Sequence, residues 1–172
     1  MVQDKWDSST KCVAPAALLE IAARLARPLV FTNGVFDLLH VGHVSYLEWA
    51  SRQGASLVVA LNGDASAARL GKGDERPLTS LRERMRLVAA LGCVAWVSWF
   101  DEDRPERLLQ GLRPDVYVKG GDYELQRLPE AALVASWGGR TEIAPYLPGH
   151  SSTALMRRIQ AGADRRAVEV QR

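Results

Sequence analysis

Phe31-Thr32-Asn33-Gly34-Val35-Phe36-Asp37-Leu38-Leu39-His40-Val41-Gly42-His43 is the stretch on which the fold turns. It grows out of Leu29-Val30-Phe31, an apolar run of buried-strand type. It leads into Val44, Leu47 and Ala50, whose recurrence matches the buried face of a helix. The segment therefore reads as strand, tight loop and helix start. At such a junction a parallel α/β sheet binds ligands, because unpaired backbone N–H groups face an anion there. His40 and His43 flank Gly42, which has no side chain to keep a phosphate from the backbone. Imidazoles donate hydrogen bonds to phosphate oxygens and, once protonated, offset their charge. As a zinc pair, the two histidines lack a carboxylate or thiol at ligand spacing. As ordinary core histidines, they would need neither the glycine nor the strand-end position.

The rest of the chain fits one domain around this junction. Its 172 residues suffice for a sizeable core. Apolar residues make up 47% and charged residues 24%, an ordinary globular balance. A net charge of +2 gives no reason to expect a nucleic-acid face. Cys12 and Cys93 form neither a disulfide framework nor a metal cluster and read as small packed hydrophobes. No apolar run is long enough to span a bilayer and no signal peptide opens the chain, so no membrane partner is expected and the cytoplasm is the expected setting.

Periodicity predicts strands at 29–31, 56–61, 94–98, 115–118 and 141–144. Helices are predicted over 16–25, 81–91, 106–112, 129–137 and 154–159. Gly54 reads as the C-cap of the helix after the signature. Residues 1–11 read as a flexible N-terminal segment, 12–160 as the domain, and 161–172 as a flexible C-terminal tail. The strand–helix–strand order implies right-handed crossovers and a parallel sheet of about five strands. No G-x-G-x-x-G follows the first strand, which sets aside a dinucleotide-dependent dehydrogenase.

Three further loops carry polar groups. Asn62-Gly63-Asp64 closes the second strand at the same sheet end as the signature, with Asp64 either facing a ligand or capping the next helix. Lys119-Gly120-Gly121-Asp122-Tyr123 follows the fourth. Ser151-Ser152-Thr153 opens the last helix, where one hydroxyl would serve as cap and three together favour an anion. The loop 69–77 holds Lys72 between two glycines, poorly fixed by packing and free to swing toward a polyphosphate.

The run Gly34-x-Phe36-Asp37-x-x-His40-x-Gly42-His43 resembles the HxGH signature of the cytidylyltransferase-like nucleotidyltransferases. The resemblance spans roughly residues 11 to 160. It implies a Rossmann-like three-layer αβα nucleotidyltransferase domain. Within this family it is strongest to the adenylyltransferases that make ADP-heptose for lipopolysaccharide, through Arg76-Pro77, Leu81-x-x-Arg84-Met85, Val118 to Tyr123 and Gly149-x-Ser151-x-Thr153. Two departures stand out. Tyr146 occupies the place of the family arginine, and Val35 stands where a cysteine is common.

The resemblance implies AMP transfer from ATP to heptose 1-phosphate by direct attack on the α-phosphorus, with Mg2+ arriving on ATP and no metal held by the protein alone. It implies His40, His43 and Lys72 as catalytic. It assigns the nucleotide to Asn33, Gly34, Val35, Phe36, Gly42, Gly120, Asp122, Tyr123, Ser151, Ser152 and Thr153. The sugar phosphate falls to Asp37, Asn62, Arg84 and Lys119, with a surface ion pair as the other reading of Arg84. A homodimer and an upstream sugar kinase are the implied partners; relatives often carry that kinase fused, and this chain reads as the stand-alone form. The competing readings are an enzyme for another acceptor, such as a glycerol 3-phosphate cytidylyltransferase, and a non-catalytic nucleotide sensor.

Overall fold

A computed structural model describes residues 7–70, 76–121 and 128–170, with side chains through 162. Five strands form one parallel sheet in the order β3-β2-β1-β4-β5. They are β1 (Leu29–Gly34), β2 (Ser56–Asn62), β3 (Trp96–Phe100), β4 (Val116–Gly120) and β5 (Arg140–Ala144). The helices are α1 (Pro15–Ala22), α2 (Val41–Ser51), α3 (Asp64–Arg69), α4 (Leu81–Ala89), α5 (Glu106–Leu112), α6 (Pro129–Ala135) and α7 (Ser152–Val170). This is the expected α/β architecture, and alternation along the strands divides its core into two layers. Val30, Leu57, Val59 and Val118 pack with Leu47 of α2 and Val88 of α4. Leu29, Phe31, Val58 and Tyr117 point the other way, onto Leu18 of α1, Leu109 of α5 and Val134 of α6.

The chain builds β1, β2 and β3 outward in one direction and then returns to place β4 on the other side of β1. The switch point therefore lies between β1 and β4. Their register runs only from Val30↔Val116 to Thr32↔Val118. Beyond it, Asn33 and Gly34 pair with β2 alone, and Lys119 and Gly120 with β5 alone. β1 and β4 thus part at their carboxyl ends and open a crevice. Tyr46 of α2 fills its base. Its hydroxyl bonds to Thr32 Oγ1 and lies 3.1 Å from the Val118 carbonyl. A side chain at Gly120 would meet the Tyr46 ring at 3.0 Å, a tight approach that the glycine avoids.

Several local expectations change. Gly54 does not cap α2; Arg52 does, in right-handed geometry. A Cβ at Gly54 would run into the Pro28 carbonyl oxygen, so close backbone packing is what selects the glycine. Residues Ser8–Lys11 form a 3₁₀ turn fastened to the body, with Lys11 Nζ donating to the Val94 carbonyl at 2.9 Å. The last helix does not stop at Ile159 but runs on to Val170. No helix among the described residues is long and apolar enough to cross a membrane.

Candidate active site

A cleft of about 570 Å³ lies over the crevice between β1 and β4. The signature loop, the β4 end and the α7 start all reach it. Phe36 adopts φ of 52°, the left-handed region that non-glycine residues avoid. Such conformations cost about 1–3 kcal/mol and persist where surrounding contacts impose them. Here the contacts are visible. The buried Phe36 ring lies beneath Gly34, where a Cβ would sit 3.0 Å from it, and meets the His43 ring edge-on at 5.2 Å.

His40 is the N-cap residue of α2, in extended geometry, and His43 lies in the first turn. Their rings stack with centroids 3.9 Å apart. Gly42 lies against His40 and His150, because a Cβ there would be 2.9 Å from His40 Nδ1 and 3.2 Å from His150 Cβ. His40 Nδ1 is buried without a hydrogen-bond partner among the described residues. Burial, with a smaller contribution from His150, lowers the His40 pKa below its usual 6.5. The imidazole is therefore mostly neutral near neutral pH and gains a proton readily only when negative charge arrives.

His150 is not among the residues that the motifs single out, although it lies inside the Gly149-x-Ser151 motif. It lines the cleft, so all three histidines of the chain converge there. Its Nδ1 lies 2.9 Å from the Pro148 carbonyl oxygen. A carbonyl only accepts, so Nδ1 carries the proton in this bond and Nε2 stays open to a ligand. Next to it, Ser151 Oγ accepts the Ala154 N–H at 3.1 Å and caps α7. Ser152 Oγ lies 3.5 Å from the Leu38 carbonyl oxygen, tying the helix start to the signature loop. Ser151, Ser152 and Thr153 all line the cleft at a positive helix end. Tyr146, at the place of the family arginine, also lines it.

Two residues expected to face the sugar phosphate have other work. Asp37 is 5% exposed. Its carboxylate accepts from Arg76 at 2.6 Å, from the Leu78 and Thr79 N–H groups at 2.8 and 3.1 Å, and from the Thr79 hydroxyl at 3.2 Å. Burial alone would raise its pKa, but these donors together outweigh burial and hold it low. Asp37 touches the cleft wall while its oxygens anchor residues 76–79 to the signature loop.

Arg84 is fully buried and does not line the cleft, so it does not face the sugar phosphate; the ion-pair reading holds, with Asp64, but the arginine end is not at the surface. Its guanidinium donates to the Thr79 carbonyl, to the Val35 carbonyl at 2.7 Å, and to Asp64 at 2.6 Å. It braces the signature loop from behind. Asp64 is the first residue of α3 and spends its carboxylate on that bond. Asn62 lines the cleft and donates to Ser66 Oγ at 3.0 Å. Lys72, Asp122 and Tyr123 lie outside the described residues.

On the far side of the crevice, Asn33 Oδ1 accepts from the Tyr117 hydroxyl at 2.8 Å and from Lys119 Nζ at 3.4 Å. Burial lowers the Lys119 pKa, and the Glu130 carboxylate opposes that shift. Glu130 and Tyr46 are further cleft residues that no motif announces. Tyr46 is legible in principle, one helical turn after His43. Glu130 resembles any acidic residue placed in a first helical turn to suit the dipole. Among the described residues, no group of three or more His, Cys, Asp or Glu could hold a metal.

A histidine pair and a hydroxyl-rich helix start, facing each other across the switch point of a parallel sheet, define a protein that handles a phosphorylated nucleotide. The cytidylyltransferase-like family model matches residues 31–158. The chain belongs to the cytidylyltransferase-like family and is a nucleotidyltransferase. It is 57% identical over 162 residues to the D-beta-D-heptose 1-phosphate adenylyltransferase of Bordetella bronchiseptica, covering 94% of this chain and 100% of that one. It is 56% identical over 135 residues to the bifunctional protein HldE of Streptomyces coelicolor, covering 78% of this chain but only 29% of that one. Among solved structures, the lipopolysaccharide core biosynthesis protein of Thermoplasma volcanium shares 28% identity with a TM-score of 0.57, over 69% of this chain and 95% of that one. Pantothenate synthetase of Thermus thermophilus shares the fold, with a TM-score of 0.58 over 80% of this chain and 62% of that one, at 16% identity.

Proposed function

We propose that this chain transfers AMP from MgATP to a heptose 1-phosphate, giving ADP-heptose and pyrophosphate for lipopolysaccharide core assembly. The observation that carries this reading is the 57% identity, over the full length of the relative, to a heptose 1-phosphate adenylyltransferase. The intact histidine pair over the cleft supports it.

The reaction asks for positioning and charge stabilisation. A phosphate oxygen of the sugar phosphate bonds to the α-phosphorus as the bond from that phosphorus to the β-phosphate oxygen breaks in line. The attacking oxygen is already anionic, so no general base is needed. His40 and His43 donate to α- and β-phosphate oxygens, where charge crowds in the transition state. The α7 start, with Ser151, Ser152 and Thr153, receives the departing pyrophosphate end. Lys72 adds positive charge. Gly120 and Gly121 let the nucleoside approach the β4 backbone. Magnesium belongs to the ATP complex, as a substrate component that neutralises phosphate charge. The acceptor is itself a phosphate ester, so an earlier phosphoryl transfer must supply it.

Pyrophosphate release tests this reading directly. ATP and CTP are each paired with heptose 1-phosphate and with glycerol 3-phosphate. Release with ATP and heptose 1-phosphate, well above the other pairs, is expected. A preference for CTP, or release only with glycerol 3-phosphate, overturns it.

A further inference from the structure

We propose that Glu130 is a substrate-binding residue that accepts hydrogen bonds from a vicinal diol of the bound substrate. The proposal rests on the adenylyltransferase reading above for the identity of the two substrates, and on the cleft geometry for the contact. Glu130 is 5% exposed, yet it lines the cleft. Among the described residues no donor reaches its carboxylate. At this burial the carboxylate keeps little room for water, and its open acceptor positions are ones that donors of a bound ligand can fill. Lys119 offsets part of the charge from the end of β4. That attraction does not fill the lone pairs facing the cleft.

An ionised carboxylate only accepts, and its two oxygens match two adjacent hydroxyls. A phosphate is excluded by charge, so the ligand group at this wall is the neutral, donor-bearing part of a substrate. Both substrates carry such a group: the ribose of ATP and the polyhydroxylated ring of the heptose. Helix polarity accounts for an acid in the first turn of α6, but not for one buried against the cleft. A site built to bond a hydroxyl discriminates strongly against the analogue that lacks it.

The test uses the full chain and its near-isosteric variant Glu130→Gln, with Glu130→Ala beside it, each checked for a cooperative melting transition. Titration calorimetry compares ATP, 2′-deoxy-ATP and 3′-deoxy-ATP without any acceptor. Steady-state assays then give KM for heptose 1-phosphate. If the ribose is the partner, the wild type prefers ATP by roughly 10-fold or more and the folded variant loses that preference. If the heptose is the partner, the variant discriminates among the three nucleotides as the wild type does, and its KM for the sugar phosphate rises roughly 10-fold or more. The proposal is overturned if a folded variant keeps both the nucleotide preference and the KM within twofold. A wild type that binds ATP but never releases pyrophosphate with heptose 1-phosphate would refute the proposed acceptor, while the calorimetric arm still reads Glu130.

Discussion

The imidazoles of His40 and His43 stack at 3.9 Å between centroids, with their planes 22° apart. Two rings this close disfavour simultaneous protonation, because two imidazolium charges would repel across the stack. A polyphosphate removes that penalty. His40, held below its usual pKa by burial, thus carries little positive charge before the phosphates arrive. Such preorganised donors act most where charge develops during reaction.

Replacing His43 by alanine should lower kcat by roughly 10²-fold or more, since it removes a donor to the reacting phosphates. Pyrophosphate release under saturating substrates measures this. An unchanged kcat in a folded variant would remove His43 from the chemistry.

Gly42→Ala separates geometry from stability. Alanine suits the first turn of a helix better than glycine by up to about 1 kcal/mol. The added Cβ, however, would press on His40 Nδ1 at 2.9 Å and on His150. The expected outcome is a melting temperature near wild type with activity down about 10²-fold, the scale of an ångström-sized misplacement. Activity equal to wild type would mean that the His40 position does not matter.

Asp37→Asn should destabilise the fold by about 3 kcal/mol, because it leaves the half-hidden Arg76 guanidinium without its counter-charge. The pH dependence has a definite sign. The folded Asp37 pKa lies below its usual 3.8, so its contribution is present above that value and is lost as pH falls through the folded pKa. Denaturant titrations of wild type and variant should therefore converge on strong acidification. A gap that stays constant into that range would assign the stability to something other than this carboxylate.

Proton uptake on ATP binding is the fourth expectation. The His40 pKa lies below 6.5, and phosphate oxygens placed against it should raise it. Calorimetry in buffers of different ionisation enthalpy, at pH 6.5, should show more uptake for wild type than for His40→Ala. The difference should shrink as pH rises further, because the imidazole then becomes neutral in both states. Equal uptake by both proteins at the lower pH would place the triphosphate away from His40.

Much of the fold and of the cleft is legible in the amino-acid sequence. The signature's glycines and histidines have local reasons to sit where they do, and local reasons show in sequence. The Ser80–Glu83 capping box is another such case: the spacing implies it and the fold contains it. Asp37 and Arg84 are legible as charges near the site but not as anchors. Their partners lie on separate elements: Arg76 on a distant loop, and Val35 and Asp64 on two others. Gly54 mimics a cap because the glycine after a helix commonly is one, whereas its contact is with Pro28 across the fold. The extension of α7 to Val170 is hard to read from sequence, because the residues beyond Ile159 sustain no apolar repeat. Glu130 and His150 reach the cleft only through tertiary placement.

The account stands most directly on where the triphosphate lies. A crystal structure with the non-transferable analogue α,β-methylene ATP and magnesium measures it. Phosphate oxygens within hydrogen-bond distance of both His40 and His43, with the γ-phosphate at the Ser151–Thr153 start of α7, are the predicted result. A triphosphate bound elsewhere, with both imidazoles left facing solvent, would contradict the account.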